Sequence, residues 1–445
     1  MNSVALLDIR QFFSRIADEW VEARPQTQPD LLEGEASMQG KRILILVENL
    51  PSPFDRRVWQ EATTLRDAGA RVSIICPTGR GYEKKYEMIE QIAIYRYKLP
   101  LEAEGAMGYA AEYSVALFWS FVLSWRVFFT RGFDVIHACN PPDLFFLIGG
   151  FFKLFGKKFL FDHHDINPEL YEAKFGRRDF FYRLLLKLER WSFRTAQVSI
   201  ATNESYRQIA IERGGMDPDR VFVVRSGPSL ERIKQGPGDH RLKCGRRYLV
   251  GYVGVMGKQE GIDYLLQAVR HIVFDLGRQD IHFGLVGGGT SLDEMKALAI
   301  ELKIADYVSF TGRVSDEAML SMLNTADVCV NPDVANAMND KSTMNKIMEY
   351  MALGKPIVQF DLTEGRYSAQ EASLYAEGNN SIDLAAKLVS LLDDPLLRER
   401  MGSIGRRRVV NELAWHHEVP KLLRAYQRLW KVQPRHAGVG TSPAS

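Results

Sequence analysis

The run Phe161-Asp-His-His-Asp-Ile-Asn-Pro-Glu169 puts two histidines and two aspartates into one short turn after an apolar segment. A histidine there could titrate near neutral pH or donate to a developing charge. Adjacent His163 and His164 point apart along extended backbone, and no third ligand follows at metal spacing, so a metal site is not expected. A second stretch, Gly251-Tyr-Val-Gly-Val-Met-Gly-Lys-Gln-Glu-Gly261, is a strand, a glycine-rich loop and a helix start. Its backbone amides, with Gly257 and the ammonium of Lys258, could hold a diphosphate. A third is Asn339-Asp-Lys-Ser-Thr343 before an apolar-periodic segment. Ser342 or Thr343 could cap that helix and leave other first-turn amides free for phosphate. Glu349, further inside, could accept hydrogen bonds from both hydroxyls of a ribose. Taken singly, a tight turn with a solvent-facing lysine or a structural glutamate is the commoner explanation. Two phosphate-friendly turns in the same half of the chain make the stronger case.

These turns need strands and helices to place them. Arg42–Val47 is continuously apolar, as a parallel strand covered on both faces should be. A helix over Val58–Asp67 and a strand over Arg71–Cys76 complete a strand–helix–strand unit. Further strands are expected at Ile92–Tyr97, Val135–Ala138, Phe159–Asp162, Val198–Ala201 and Val221–Val224. The pattern restarts with strands at Tyr248–Val253, His282–Val286, Val308–Phe310, Asp327–Asn331 and Pro356–Phe360, alternating with helices. One of those helices is expected over Thr343–Leu353, and the chain reads as helical from Ala385 to about Lys431. Ser226-Gly-Pro228 and Gln235-Gly-Pro-Gly238 interrupt the alternation between the halves. The fold class is therefore α/β with two Rossmann-like domains. Ligands of such sheets bind at the carboxyl ends of the strands, where all three turns fall. Neither half carries GxGxxG, and Walker A, GxSxG and HExxH do not occur, so hydride transfer is disfavoured.

The chain has 445 residues, a formal net charge of +2 and ordinary hydrophobic content of 46%, which gives no reason to expect a nucleic-acid partner. The 4 cysteines are far apart and fit free thiols in a reducing compartment. The N-terminus lacks the pattern of a signal peptide; residues 5–22 read as an amphipathic helix followed by a linker. Tyr109–Phe129 approaches the length of a membrane span, but Glu112 and Arg126 interrupt it, so a buried or surface-lying helix is expected. Phe145–Phe161 adds a second apolar stretch beside Lys153, Lys157 and Lys158. Aromatics next to lysines suit an anionic membrane surface and suit core packing with a charged rim equally well.

At this point the residues resemble the GT4 family of retaining glycosyltransferases, which has the GT-B fold. The resemblance covers about residues 41–430 and is strongest from Leu285 to Val358, through Val286-Gly-Gly-Gly289, Val308–Arg313, Ala326–Pro332 and Glu349–Val358. Phe54-Asp-Arg-Arg57, Trp59–Glu61 and the His164-Asp165 to Pro168-Glu169 turn are similar to a subgroup that builds bacterial surface polysaccharides. The resemblance implies an interdomain cleft, C-terminal crossover helices and five regions. These are an extension at 1–40, an acceptor domain at 41–225, a nucleotide-sugar domain at 247–412, a crossover helix at 413–431 and a disordered tail at 432–445. It implies catalytic roles for His164, Lys258 and Glu349. Donor binding falls to Gly257, Arg313, Val314, Ser342, Thr343, Met344 and Asn345, and Arg56, Arg57 and His163 lie on the acceptor side.

Three positions depart from the family pattern. Val255 stands where an arginine is usual, Glu260 where a lysine is usual, and Lys341 where the family's first motif glutamate falls. The implied reaction is retaining transfer from a UDP- or GDP-sugar to a lipid-linked saccharide, without metal, on the cytoplasmic face of the plasma membrane. A binding protein that has lost catalysis, or a nucleotide-sugar epimerase, is the alternative.

Overall fold

The computed structural model describes residues 38–99 and 105–431. The N-terminal amphipathic segment and the tail from residue 432 lie outside the described residues. The first sheet is built from β1 (Arg42–Leu46), β2 (Arg71–Pro77), β3 (Tyr86–Ile89), β4 (Ile92–Tyr97), β5 (Val135–Cys139), β6 (Lys158–His163), β7 (Val198–Ala201) and β8 (Val221–Val223). Its spatial order is β3-β4-β2-β1-β5-β6-β7-β8. The strands run parallel except β3, which pairs antiparallel with β4. That edge hairpin turns through Glu90 and Gln91, both at positive φ (47° and 66°). The second sheet contains β9 (Tyr248–Val253), β10 (Ile281–Val286), β11 (Val308–Gly312), β12 (Val328–Asn331), β13 (Ile357–Phe360) and β14 (Ser373–Ala376). Its order is β11-β10-β9-β12-β13-β14, all parallel.

Central strands such as Ile43-Leu-Ile-Leu46 are apolar along their whole length because helices cover both faces. Two of those helices, Arg56–Asp67 and the C-terminal Trp415–Lys431, share one face of the first sheet. The second belongs to the far end of the chain, yet Leu422, Leu423, Ala425, Tyr426 and Leu429 pack with Val58, Ala62 and Leu65. Burying each such leucine contributes about 1.5–3 kcal/mol, enough to tie the terminus to the first domain. Trp415 Nε1 donates to Thr64 Oγ1 at 3.0 Å at the start of this crossing.

The single helical stretch expected from Ala385 to Lys431 is broken into Ser381–Asp393, Pro395–Arg408 and Trp415–Lys431, joined by a short π-helical turn. Asp394 ends the first helix and caps the second by accepting from Leu397 N at 2.9 Å, with Pro395 in the first turn.

Glycine-rich loops of the second domain pack backbone on backbone. Gly254 N donates to Val286 O at 3.1 Å and Met256 N to Gly288 O at 2.8 Å. A Cβ at Gly287 (φ 139°) would stand 1.8 Å from Gly254 O, and one at Gly289 (φ 153°) would stand 2.4 Å from Met256 O. Gly287 and Gly289 are thus required for close approach of two loops.

Candidate active site

The carboxyl ends of both sheets face a cavity of about 410 Å³ between the domains. Arg57, His164, Asp165, Thr202, Tyr206 and Ser226 line it from the first domain. Gln259, Glu260 and the segment Met338 to Asn345 line it from the second.

On the first-domain wall, Asp55 accepts from Val58 N at 3.1 Å and starts the helix that carries Arg57. Arg57 is buried. Its Nη1 donates to Val224 O at 2.9 Å and Ser226 Oγ at 3.1 Å, and its Nη2 donates to Asp162 Oδ1 at 3.0 Å. His164 follows the end of β6. Its backbone N donates to Asn140 Oδ1 at 2.6 Å, and Asp165 N donates to the same oxygen at 3.1 Å. Asn140 Nδ2 donates to Asp143 Oδ1 at 2.9 Å, and Asn167 Nδ2 donates to Asp143 Oδ2 at 2.7 Å. The turn that presents His164 is therefore pinned from β5. Burial pushes the Asp143 carboxyl up to about 7.

His164 Nε2 lies 2.6 Å from Asp162 Oδ2 and 2.9 Å from Arg57 Nε. One ring nitrogen cannot donate to the first and accept from the second. Burial raises the Asp162 carboxyl, but Arg57 and His164 beside it outweigh burial and hold it well below the usual carboxylate range. The ionised carboxylate favours a proton on Nε2 that it can accept, whereas the Arg57 Nε–H is aimed at the same nitrogen as a donor, so the two neighbours pull the tautomer in opposite directions. Glu61, Cys139, Asp162 and His164 have ligand atoms within 4.8 Å of one another, a composition that suits a metal. The Arg57 guanidinium already reaches Glu61 and Asp162 at 3.0 Å and His164 at 2.9 Å, so it fills the cation position. His163 turns the other way. It is fully buried among Phe161, Phe193 and Tyr206 and does not reach the cavity.

On the second-domain wall the expected capping of the helix does not occur. The helix runs Asn345–Ala352, and Met344 at its N-cap supplies no side-chain bond. Ser342 Oγ donates to Met338 O at 2.8 Å and meets Tyr206 Oη at 3.0 Å. Thr343 Oγ1 accepts from Asn203 Nδ2 at 3.0 Å and Arg225 Nη1 at 3.3 Å. Both hydroxyls are therefore spent across the cleft, and the helix start faces it without a side-chain cap. That end attracts anions. Ser205 Oγ also donates to Glu364 Oε1 at 2.7 Å, so the first domain grips the 338–345 loop and its neighbour.

Lys258 is exposed on its loop, and neither it nor Gly257 lines the cavity. The loop's amides at Gly254, Met256 and Gly257 are already bonded to backbone oxygens. A buried cation that sequence reading missed meets the end of that loop. Lys346 is buried; it pairs closely with Glu260 Oε2 and sits 2.9 Å from Asp333 Oδ1. Tyr252 Oη donates to Glu260 Oε2 at 2.7 Å. Only the position of Lys346 one residue into the donor-loop helix could have marked it.

Glu349 lies beside the cavity lining in an ion network rather than within it. Arg232 Nη2 donates to Glu349 Oε1 at 2.5 Å, Arg56 Nη1 is 3.5 Å away, and both arginines also contact Asp316. Arg313 faces the Phe54 ring at 5.0 Å, which joins the domains at the same rim, and Val314 packs on the second-domain core. Lys341 Nζ is 3.9 Å from Glu169 Oε1 of the first domain.

Two facing Rossmann-like domains with a ligand-sized cleft and a returning C-terminal helix define a GT-B protein. The sequence pattern of Glycosyltransferase Family 4 matches residues 55–232, and that of Glycosyl transferases group 1 matches residues 247–394. The chain belongs to the family 4 glycosyltransferases. It is 30% identical over 244 residues to a D-inositol 3-phosphate glycosyltransferase of Thermomonospora curvata, over 51% of this chain and 55% of the relative. The chain spans less than two thirds of the length of the curated relatives it matches. Sucrose-phosphate synthase from Thermosynechococcus elongatus superimposes with a TM-score of 0.73 at 18% identity, over 88% of this chain and 99% of that one. Anabaena HepE in complex with UDP gives 0.65 at 15%, over 87% and 99%. These two likenesses establish the fold.

Proposed function

We propose that the protein transfers a glycosyl group, with retention, from a nucleotide-sugar donor to a lipid-linked saccharide during polysaccharide assembly. The observation that carries this reading is the cavity itself, with an uncapped helix start on one wall and Arg57 with His164 on the other. Transfer releases a nucleoside diphosphate, and its developing charge must be stabilised as the glycosidic bond breaks. The amides of the first turn at Asn345 provide fixed donors for that charge. Glu349, at the rim and held by Arg232 and Arg56, is placed to take ribose hydroxyls after small rearrangement. His164, with its proton on Nε2, offers Nδ1 as an acceptor to a sugar hydroxyl. A metal ion is not needed in this scheme, and chelation should leave turnover intact. UDP is the first nucleotide to test, because Anabaena HepE holds UDP in its structure, and GDP is the second.

The lipid-linked acceptor is supported by the outer surface of the first domain. The helix Gly105–Thr130 contains a segment, Glu112–Thr130, apolar and long enough to cross a membrane, with only 22% of that window buried. It packs on the domain through Ala116 and Val127 and leaves Phe118, Trp119 and Phe129 exposed. Leu147, Leu154 and Phe155 extend the apolar surface, and Lys157 covers the Phe128 ring at 5.4 Å. Lys153 donates to Thr195 O, burial lowers it to about 8 and lowers Lys158 as well, and Lys157 carries the cationic rim. Such a face suits peripheral attachment to the inner, anionic leaflet of the plasma membrane.

Thermal shift with UDP-, GDP-, ADP- and TDP-sugars tests the donor half, because a ligand of the native state raises stability by mass action. One nucleotide series should raise the midpoint. A flat response to all four at millimolar concentration contradicts the reading.

A further inference from the structure

Behind Arg57 and His164 lies a closed group of ionisable side chains that the transfer reaction does not itself use. Glu61 and Asp162 are both fully buried, and an oxygen of each carboxyl group lies within 4.8 Å of the other. The surrounding groups are Arg57 on the same helix as Glu61, His137 and Cys139 on β5, His164 after β6, Tyr426 on the C-terminal helix, and Asp55 before the first helix. Arg57 is the one permanent cation among them.

The donors are distributed unequally. Asp162 Oδ1 accepts from Arg57 Nη2 at 3.0 Å, and Oδ2 accepts from His164 Nε2 at 2.6 Å and His137 Nε2 at 3.2 Å. His137 can donate there because its Nδ1 is free to accept from Tyr426 Oη at 2.8 Å. Glu61 has none of this. Arg57 Nη2 stands 3.0 Å from Glu61 Oε1 without making a hydrogen bond, and both Glu61 oxygens are buried and unpartnered. Two buried carboxylates this close, with one arginine between them, cannot both stay charged. The carboxyl without donors keeps the proton. Burial first, and Asp162 against the opposing pull of Arg57, raise the Glu61 carboxyl well above its ordinary range.

We propose that Glu61 and Asp162 form one acid pair holding a single proton, on Glu61, and that Asp162 is the positioning residue that keeps the proton of His164 on Nε2 and its Nδ1 lone pair toward the cleft. The inference rests on His164 being a cleft residue. Among the described residues, Nδ1 has no protein partner, while its ring lines the cavity. The Tyr426 contact makes the returning C-terminal helix part of the same arrangement.

Histidine tautomers are read directly by ring ¹⁵N–¹H correlation on ¹⁵N-histidine-labelled full-length protein, with His164→Gln assigning the signal among the 9 histidines. No donor or acceptor is needed, so the result stands apart from the success or failure of the glycosyl-transfer reading. The native protein should show the His164 proton on Nε2 and none on Nδ1. Asp162→Asn should reverse it. Arg57 has only donors, so the amide oxygen must face Arg57 and the amide NH₂ must face the histidines. His164 Nε2 then becomes an acceptor, and the proton moves to Nδ1. Glu61→Gln, which replaces a neutral acid by a neutral amide, should leave the Nε2 proton in place. A native His164 that is charged or protonated on Nδ1 overturns the proposal. So does an Nε2 proton that survives Asp162→Asn, or a tautomer change in Glu61→Gln. Should Asp162→Asn fail to fold, the native tautomer and Glu61→Gln still decide the matter.

Discussion

Replacing Lys346 by methionine should destabilise the protein strongly at alkaline pH and less at acid pH. The side chain is 9% exposed and serves two buried carboxyls, Glu260 by a close pair and Asp333 at 2.9 Å. Removing one partner of a buried ion pair costs about 3–5 kcal/mol, because the charge left behind is neither solvated nor paired. The dependence on pH comes from Asp333. Burial pushes its carboxyl up to about 7, against the pull of Lys346. Without the ammonium that midpoint rises further. Because the folded value exceeds the unfolded one, Asp333 favours the folded state while protonated, and that benefit is lost as pH rises through the folded midpoint. Each unit by which the midpoint climbs is worth about 1.4 kcal/mol between the two protonation states. Urea unfolding near pH 8 should therefore show a loss of about 3–5 kcal/mol, smaller near pH 5.5 by at least about 1 kcal/mol. Lys346→Met combined with Asp333→Asn should recover much of the alkaline loss. A pH-independent loss below about 1 kcal/mol would refute the reasoning, because the lysine would then not be carrying buried charge.

Three further outcomes are expected. Tyr206→Phe removes one bond from the first domain to the 338–345 loop, and Asn203→Ala removes two, to Lys341 O and Thr343 Oγ1. Each should weaken donor binding by about 1 kcal/mol, roughly fivefold by calorimetry, and an unchanged affinity would mean the loop is held without them. Asp143, raised to about 7 by burial, favours the folded state below its unfolded value near pH 4, and that benefit fades as pH climbs to 7. Asp143→Asn should flatten the thermal midpoint against pH over that window; an unaltered slope contradicts the assignment. Phe118→Ser with Leu154→Ser should reduce flotation with anionic vesicles, and the residual binding should fall as salt rises. Flotation as strong as the native protein's would place the membrane contact elsewhere.

The repeating α/β order was legible because parallel strands buried on both faces, such as Ile43–Leu46 and Tyr248–Val253, are apolar from end to end. Strand β3 was not, since Tyr86-Glu-Met-Ile89 is a half-exposed edge whose pairing is set by the turn at Glu90 and Gln91. The His164 turn and the donor loop could be marked from composition, because both follow strand ends. What the side chains there do could not. Ser342 and Thr343 read as caps for their own helix, but capping is a local preference, and partners across the cleft outcompete it. Lys258 looked like the cation of the glycine loop because it is adjacent in sequence. Lys346 meets the end of that loop, at Glu260, through a contact between residues 86 positions apart. Asp162, Glu61 and Tyr426 come together only when the last helix returns to the first sheet, a long-range event that no window of sequence records.

The central claim is that the interdomain cleft turns over a nucleotide sugar. The most direct measurement is release of nucleoside diphosphate from UDP- and GDP-sugars, with and without lipid extract as acceptor, by the native protein and by Glu349→Ala. The account predicts release from one nucleotide series, stimulation by the lipid fraction, resistance to EDTA, and a fall in Glu349→Ala equivalent to about 2–4 kcal/mol. No release from either series by folded protein, or equal release by folded Glu349→Ala, would contradict it.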